Sequence, residues 1–72
     1  MNINEKIADR IKKLRKERFL TAEKLAWASD LSKSCVIYAE KAQRDIKIST
    51  VESICKGFDI TLAEFFSVFN DK

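Results

Sequence analysis

Apolar residues along this chain recur at the three-to-four spacing of a helix, not at the alternation of a strand. Ile7, Ile11 and Leu14, with Ala8 beside them, fall on one face of a first segment, and Lys6, Lys12, Lys13 and Lys16 lie on the polar side. Later segments begin with a repeated local signal, a hydroxyl residue that can cap a helix between two apolar residues that can staple it. The signal is Leu20-Thr21 with Leu25, then Leu31-Ser32 with Val36, then Ile60-Thr61 with Phe65. Glu64 completes a capping box with Thr61. Ile48, Val51, Ile54, Cys55 and Phe58 outline one more amphipathic helix. Its start has two readings: Ser49 and Glu52 form a capping box, or Ile48 belongs to the apolar stripe and the helix begins at Lys47. Gly57, near its end, either relaxes the last turn or permits close packing. The pattern predicts five helices, at about 4–18, 21–28, 32–40, 48–57 and 61–68. The expected fold class is all-α, a compact five-helix bundle in one domain over residues 1–72.

Composition supports this. The chain has no proline and one glycine, which argues against tight hairpins. At 72 residues it is a single small domain with a marginal core. Two cysteines, Cys35 and Cys55, are too few for a disulfide framework, and their thiols are expected to be reduced. With no histidine, the mixed Cys/His zinc patterns are excluded, and neither a metal nor a cofactor is expected. No signal-peptide pattern is present, nor any apolar run near the roughly 20 residues that span a bilayer. The expected location is the cytoplasm. No Gly-rich phosphate loop or catalytic cluster is present, so an enzyme is not expected.

The net charge of +3 is unevenly placed. Residues 1–18 carry seven basic and three acidic side chains, a net of +4, whereas residues 48–72 carry two and four, a net of −2. A basic end of this kind suits a phosphate-bearing partner, although it also describes an ordinary solvated helix face.

The central unit, 21–40, reads as helix, short turn, helix. The turn is Ala28-Ser29-Asp30-Leu31, with Asp30 the residue best able to take a positive φ. In the second of these helices Val36 and Ala39 point inward, which leaves Lys33, Ser34, Ile37, Tyr38 and Lys41 outward. Such an exposed face, held across a smaller helix, is the geometry that enters a DNA major groove.

The order and spacing of Leu14-Arg15, Leu20-Thr21, Leu25-Ala26, Leu31-Ser32, Val36, Glu40, Ile48-Ser49-Thr50, Ile54-Cys55-Lys56-Gly57-Phe58 and Leu62-Ala63-Glu64-Phe65-Phe66 go further. Over about residues 4–66 the sequence resembles the XRE-type helix-turn-helix regulators, the family of phage repressor and Cro proteins. The resemblance implies a lambda-repressor-like five-helix domain that regulates transcription and reads double-stranded DNA with its third helix, as a homodimer on a pseudo-palindromic site. By position, Lys33, Ser34, Ile37 and Tyr38 would face bases. Thr21, Ala22, Lys41, Gln43 and Arg44 would meet phosphates. Arg15 and Glu40 would form a structural ion pair. Three positions depart from the family pattern: Ala22 where glutamine is frequent, Asp30 where glycine is frequent, and Ala42 where glycine or asparagine is common. The last implies a less sharply bent exit from the third helix.

Trp27 either covers the first helix or stands exposed. A domain this small cannot bury all five of its phenylalanines, so Phe66, Val68 and Phe69 are the candidate dimer surface. Two rival readings stand beside the main one. One is a protein-interaction module, such as an antitoxin or accessory subunit, favoured by Ala22, Asp30, Ile37 and Tyr38. The other, still a DNA reader, is a controller protein of a restriction–modification system.

Overall fold

Helices form where the apolar spacing places them, and the caps set their bounds. The computed structural model describes residues 1–69; Asn70 to Lys72, which the sequence reading includes in the domain, lie outside the described residues. Five helices follow in order: α1 (Ile3–Glu17), α2 (Ala22–Ala28), α3 (Lys33–Lys41), α4 (Ile48–Phe58) and α5 (Leu62–Phe66). Among the described residues there is no strand.

Three connections use one device. At the end of α1, the Leu20 N–H donates to the Arg15 carbonyl at 3.0 Å and the Phe19 N–H to that of Lys16 at 3.1 Å. At the end of α2, Leu31 donates to Ala26 at 2.9 Å and Asp30 to Trp27 at 3.2 Å. At the end of α4, Ile60 donates to Cys55 at 3.0 Å and Asp59 to Lys56 at 3.1 Å. These paired bonds satisfy carbonyls that a helix end leaves open, and they require a left-handed residue. Phe19, Asp30 and Asp59 supply it, with φ of 55°, 57° and 59°. The apolar residue that follows each, Leu20, Leu31 or Ile60, packs against the core. The next residue caps the next helix: the Thr21, Ser32 and Thr61 hydroxyls accept from the N–H of Lys24, Cys35 and Glu64 at 3.0–3.1 Å. One tripeptide thus ends a helix, staples it and starts the next.

The expected starts at Thr21, Ser32 and Thr61 hold, with each residue in the capping position. Elsewhere the bounds shift. Asn2 caps α1 in a capping box with Glu5, one turn of chemistry that apolar spacing does not register. The start of α4 is Ile48, with Lys47 in the cap position and no side-chain bond there. Ser49 therefore lies inside the helix and not at a cap. Ile48 is 64% exposed, so it is not part of the apolar stripe. α5 ends at Phe66, two residues short of the expected bound. Ala42 lies at φ 54° and ψ 33°, fully left-handed, so the exit from α3 bends as a glycine would bend it. That corrects the expectation of a less sharply bent exit.

The core takes Ile7, Ile11 and Leu14 from α1, Leu25 and Ala26 from α2, and Val36 and Ala39 from α3. α4 adds Val51, Ile54, Cys55 and Phe58, and α5 adds Phe65. Full burial of side chains such as Phe65, Ile11 and Leu25 contributes about 2–3 kcal/mol each. α3 packs on α1 and α2, α4 on α2 and α1, and α5 on α4. Arg10 ties α5 to α1: its Nε donates to the Phe65 carbonyl at 2.9 Å and its Nη2 to that of Glu64 at 3.1 Å. Burial raises the thiol pKa of Cys55, which is 2% exposed.

Gly57 resolves in favour of close packing. A Cβ there would overlap the Ser29 hydroxyl and lie 3.1 Å from the Ser29 nitrogen. That hydroxyl is buried and has no hydrogen-bond partner among the described residues. Gly57→Ala is therefore expected to lower stability by about 1–2 kcal/mol, because overpacking outweighs the better helix propensity of alanine. Ser29→Ala should change stability by less than about 0.5 kcal/mol, since it removes an unsatisfied group. In that background the cost of Gly57→Ala should fall by about half. Urea unfolding of the four proteins checks this; equal costs in both backgrounds would show that the hydroxyl is not the obstacle.

Candidate nucleic-acid interface

The site grows from α3. The Ser32 cap fixes where this helix begins, and Val36 and Ala39 bury its inner side. Lys33, Ser34, Tyr38 and Lys41 are exposed on the outer side, whereas Ile37 is half-buried and presents less surface than the helical pattern implies. Lys33 Nζ lies 3.8 Å from the Glu23 carboxylate on α2, a loose pair between exposed side chains. Water screens such a pair strongly, so it biases the lysine's position without locking it.

The register of α3 is set from α1. Arg15 Nε donates to Glu40 Oε2 at 2.7 Å and Nη2 to Oε1 at 3.0 Å, while Nη1 donates to the Leu20 carbonyl at 3.0 Å. The two side chains are only 20% and 12% exposed. The hydrogen bond to Glu40 raises the Arg15 pKa above its ordinary value, against the opposing effect of burial. A two-pronged bond of this kind fixes orientation as well as distance. It joins the last turn of α1, the α1–α2 connection and the last turn of α3.

The loop after α3 carries Gln43 and Arg44, both exposed. The Arg44 guanidinium carbon sits 4.9 Å from the centroid of the Tyr38 ring. Beyond it, Asn4 of α1 clamps the loop: its Nδ2 donates to Asp45 Oδ1 at 2.7 Å and its Oδ1 accepts from the Ile46 N–H at 3.2 Å. A cleft of about 270 Å³ lies beside the pair, lined by Cys35, Tyr38, Arg44, Lys47 and Thr50 among others. At the start of α2, Thr21 is exposed with its hydroxyl engaged in the cap, and Ala22 is half-buried against the core.

The α5 end is a separate surface. Phe66 and Phe69 are half-buried and meet edge-on at 5.1 Å, while Val68 is 59% exposed. Val68 and Phe69 help line a groove of about 320 Å³ with Met1, Lys6, Asp9, Arg10 and Lys13. Trp27 and Phe19 stand almost wholly free, at 90% and 93% exposure. Sequence reasoning missed Asn4, Arg10 and Glu23. Asn4 and Arg10 act on residues 41 to 55 positions away, and nothing local marks them. Among the described residues no cluster of His, Cys, Asp and Glu is arranged to hold a metal ion, and no helix is long and apolar enough to cross a membrane.

Comparison with known proteins agrees with this arrangement. The helix-turn-helix family model matches residues 11–65. The control protein C.MunI from Mycoplasma sp. is 34% identical over 67 residues, which cover 92% of this chain and 90% of that protein. The crystal structure of the wild-type restriction–modification controller protein C.Esp1396I superposes with a TM-score of 0.86 at 31% identity, covering 93% of this chain and 86% of that one. The same controller as a tetramer on its natural 35-base-pair operator superposes with a TM-score of 0.87 at 31% identity, covering 93% and 88%.

Removing either partner of the Arg15–Glu40 pair leaves a half-buried charge without its counterpart. Arg15→Ala and Glu40→Ala are each expected to cost roughly 2–3 kcal/mol, while the joint change Arg15→Met with Glu40→Met should recover most of that loss. Thermal or urea unfolding reads the difference; a double variant as unstable as the two single variants summed would contradict the pairing.

Proposed function

Because the chain belongs to the helix-turn-helix family of phage repressor and Cro proteins, we propose that it is a sequence-specific DNA-binding transcriptional regulator acting as a homodimer. The observation that carries this reading is the outer face of α3, held in register by the Arg15–Glu40 pair and flanked by the clamped, basic loop after it. Lys33, Ser34 and Ile37 face base edges in the major groove, and Tyr38 lies next to them on the same helix face, against Arg44. Lys41, Gln43 and Arg44 meet the phosphates on one side, and the backbone at Thr21 and Ala22 meets them on the other. Two copies of α3 would then lie in successive major grooves roughly 34 Å apart. Phe66, Val68 and Phe69 form the dimer surface. Residues 1–72 act as one non-enzymatic domain in the cytoplasm, without a cofactor.

The relatives favour a more specific role, that of a restriction–modification controller. C.Esp1396I occupies its 35-base-pair operator as a tetramer, and assembly of this chain's dimers into a tetramer on DNA would be the corresponding arrangement. A second reading, an interaction module with little DNA affinity, is favoured by the nearly complete exposure of Trp27 and Phe19.

Selection from random duplex DNA at near-physiological salt decides between them. Enrichment of a two-fold symmetric motif supports the dimeric regulator; a folded protein that enriches nothing supports the interaction module. On the selected duplex, Lys33→Ala is expected to change which bases are preferred, with losses of about 1–3 kcal/mol at the position it reads. Arg44→Ala should weaken binding to all duplexes alike and lower the salt slope by about one. Fluorescence anisotropy across a salt series measures both, and binding unchanged by either substitution would place the interface elsewhere.

A further inference from the structure

We infer that Tyr38 is a positioning residue whose ring holds Arg44 ready for a phosphate, and that Tyr38 itself reads no base. The inference rests on the DNA-binding reading and deepens it. Arg44 follows a left-handed Ala42 and precedes Asp45 and Ile46, both bound by Asn4. The backbone is thereby held on either side of Arg44. The side chain is still long and exposed, and no ion pair engages it among the described residues. Its partner is the Tyr38 ring, at 4.9 Å from guanidinium carbon to centroid.

A guanidinium against an aromatic face keeps its outer N–H groups available, because the attraction runs through the π-face and uses no donor. An acidic partner in the same place would occupy those donors and cancel the charge a phosphate needs. The tyrosine therefore narrows the conformations of Arg44 while leaving its chemistry intact. The ordering entropy of a flexible side chain is then partly spent in the free protein, so less is lost on binding. Tyr38 remains 45% exposed, which leaves its ring at the surface from which Arg44 extends.

The test has two arms. In the free protein, the Arg44 side-chain protons should resonate upfield of the free-arginine position because of the ring current. They should stay there in Tyr38→Phe and return to the free position in Tyr38→Ala. On the duplex recovered by selection, Tyr38→Ala is expected to weaken binding about fivefold, with the ranking of single-base operator variants unchanged. Tyr38→Phe should stay within about twofold of the parent, and in an Arg44→Ala background Tyr38→Ala should cost less than about 1.5-fold. Arg44→Lys, which keeps the charge but stacks poorly, should also remove most of the effect of Tyr38→Ala. Additive losses, an altered base ranking, a Tyr38→Phe variant as weak as Tyr38→Ala, or no upfield displacement in the parent would each overturn the assignment. A parent protein that binds no duplex would remove the DNA-binding reading and this role with it. That outcome is distinct from a parent that binds while its variants add.

Discussion

The architecture depends on three residues held in the left-handed region, none of them glycine. Phe19, Asp30 and Asp59 each let the chain leave one helix and enter the next across three or four residues. The conformation costs on the order of 1 kcal/mol for a residue with a Cβ, and aspartate tolerates it better than phenylalanine. What offsets that cost is local and repeated: two carbonyls satisfied, one apolar side chain delivered to the core and one cap made. The arrangement suits a 72-residue chain, which has no length to spare for loops and too small a core to tolerate open helix ends. The angle between α2 and α3, on which any groove-reading face depends, follows from the Asp30 turn and the Ser32 cap.

The caps and staples of this device were legible in the sequence, because each lies within a few residues of the next, whereas the left-handed Phe19 and Asp59 were not. The apolar stripe names nearly the whole core, from Ile7 through Phe65, and the hydroxyl residues mark the helix starts. Asp30 was expected at positive φ and lies at 57°. Legibility ends where contacts become distant. Nothing near Asn4 announces that it will bind Asp45 and Ile46, and nothing near Arg10 announces that it will close the end of α5. Ile48 misled because an apolar residue at a helix start fits the stripe on paper, yet its position in the first turn leaves it in water. At Ala42 the residue type suggested a gentler exit. The chain bends there because its other end is pinned by Asn4, so tertiary bonds and not local preference set the backbone.

Charge divides along the same line. The +4 of the first eighteen residues looked like one basic surface, yet its arginines are occupied by the fold. Arg15 binds Glu40, Arg10 binds α5 carbonyls, and Arg18 lies 5.2 Å from the Phe58 ring. The arginines of α1 and of its C-cap therefore act as structural ties, each reaching a different element of the bundle. A positive segment in sequence is thus not equivalent to a positive face in space. The lysines of that segment stay on its polar side, whereas Lys33, Lys41 and Arg44 lie on and after α3, where residues 33–47 carry a net charge of only +2.

That division explains how so small a domain combines rigidity with a basic surface. Long cationic side chains lose rotamer freedom when they bind, and a domain that presented them all loosely would lose much of its affinity to ordering. Here the contacts that set α3 and the loop after it are made by side chains turned into the protein: Arg15 on Glu40, Ser32 at the helix start, and Asn4 on the loop. The outward residues are lightly restrained, Lys33 by an exposed carboxylate and Arg44 by an aromatic ring. These two restraints differ in kind. A carboxylate competes with a ligand for the same charge, so Glu23 weakly opposes a partner that takes Lys33. A ring need not be exchanged, so Tyr38 can keep its hold on Arg44 while the guanidinium binds. On the proposed reading the face is graded, with Lys33 loosely held by an exposed carboxylate and Arg44 set against a ring, so that discrimination would fall to the first and docking to the second.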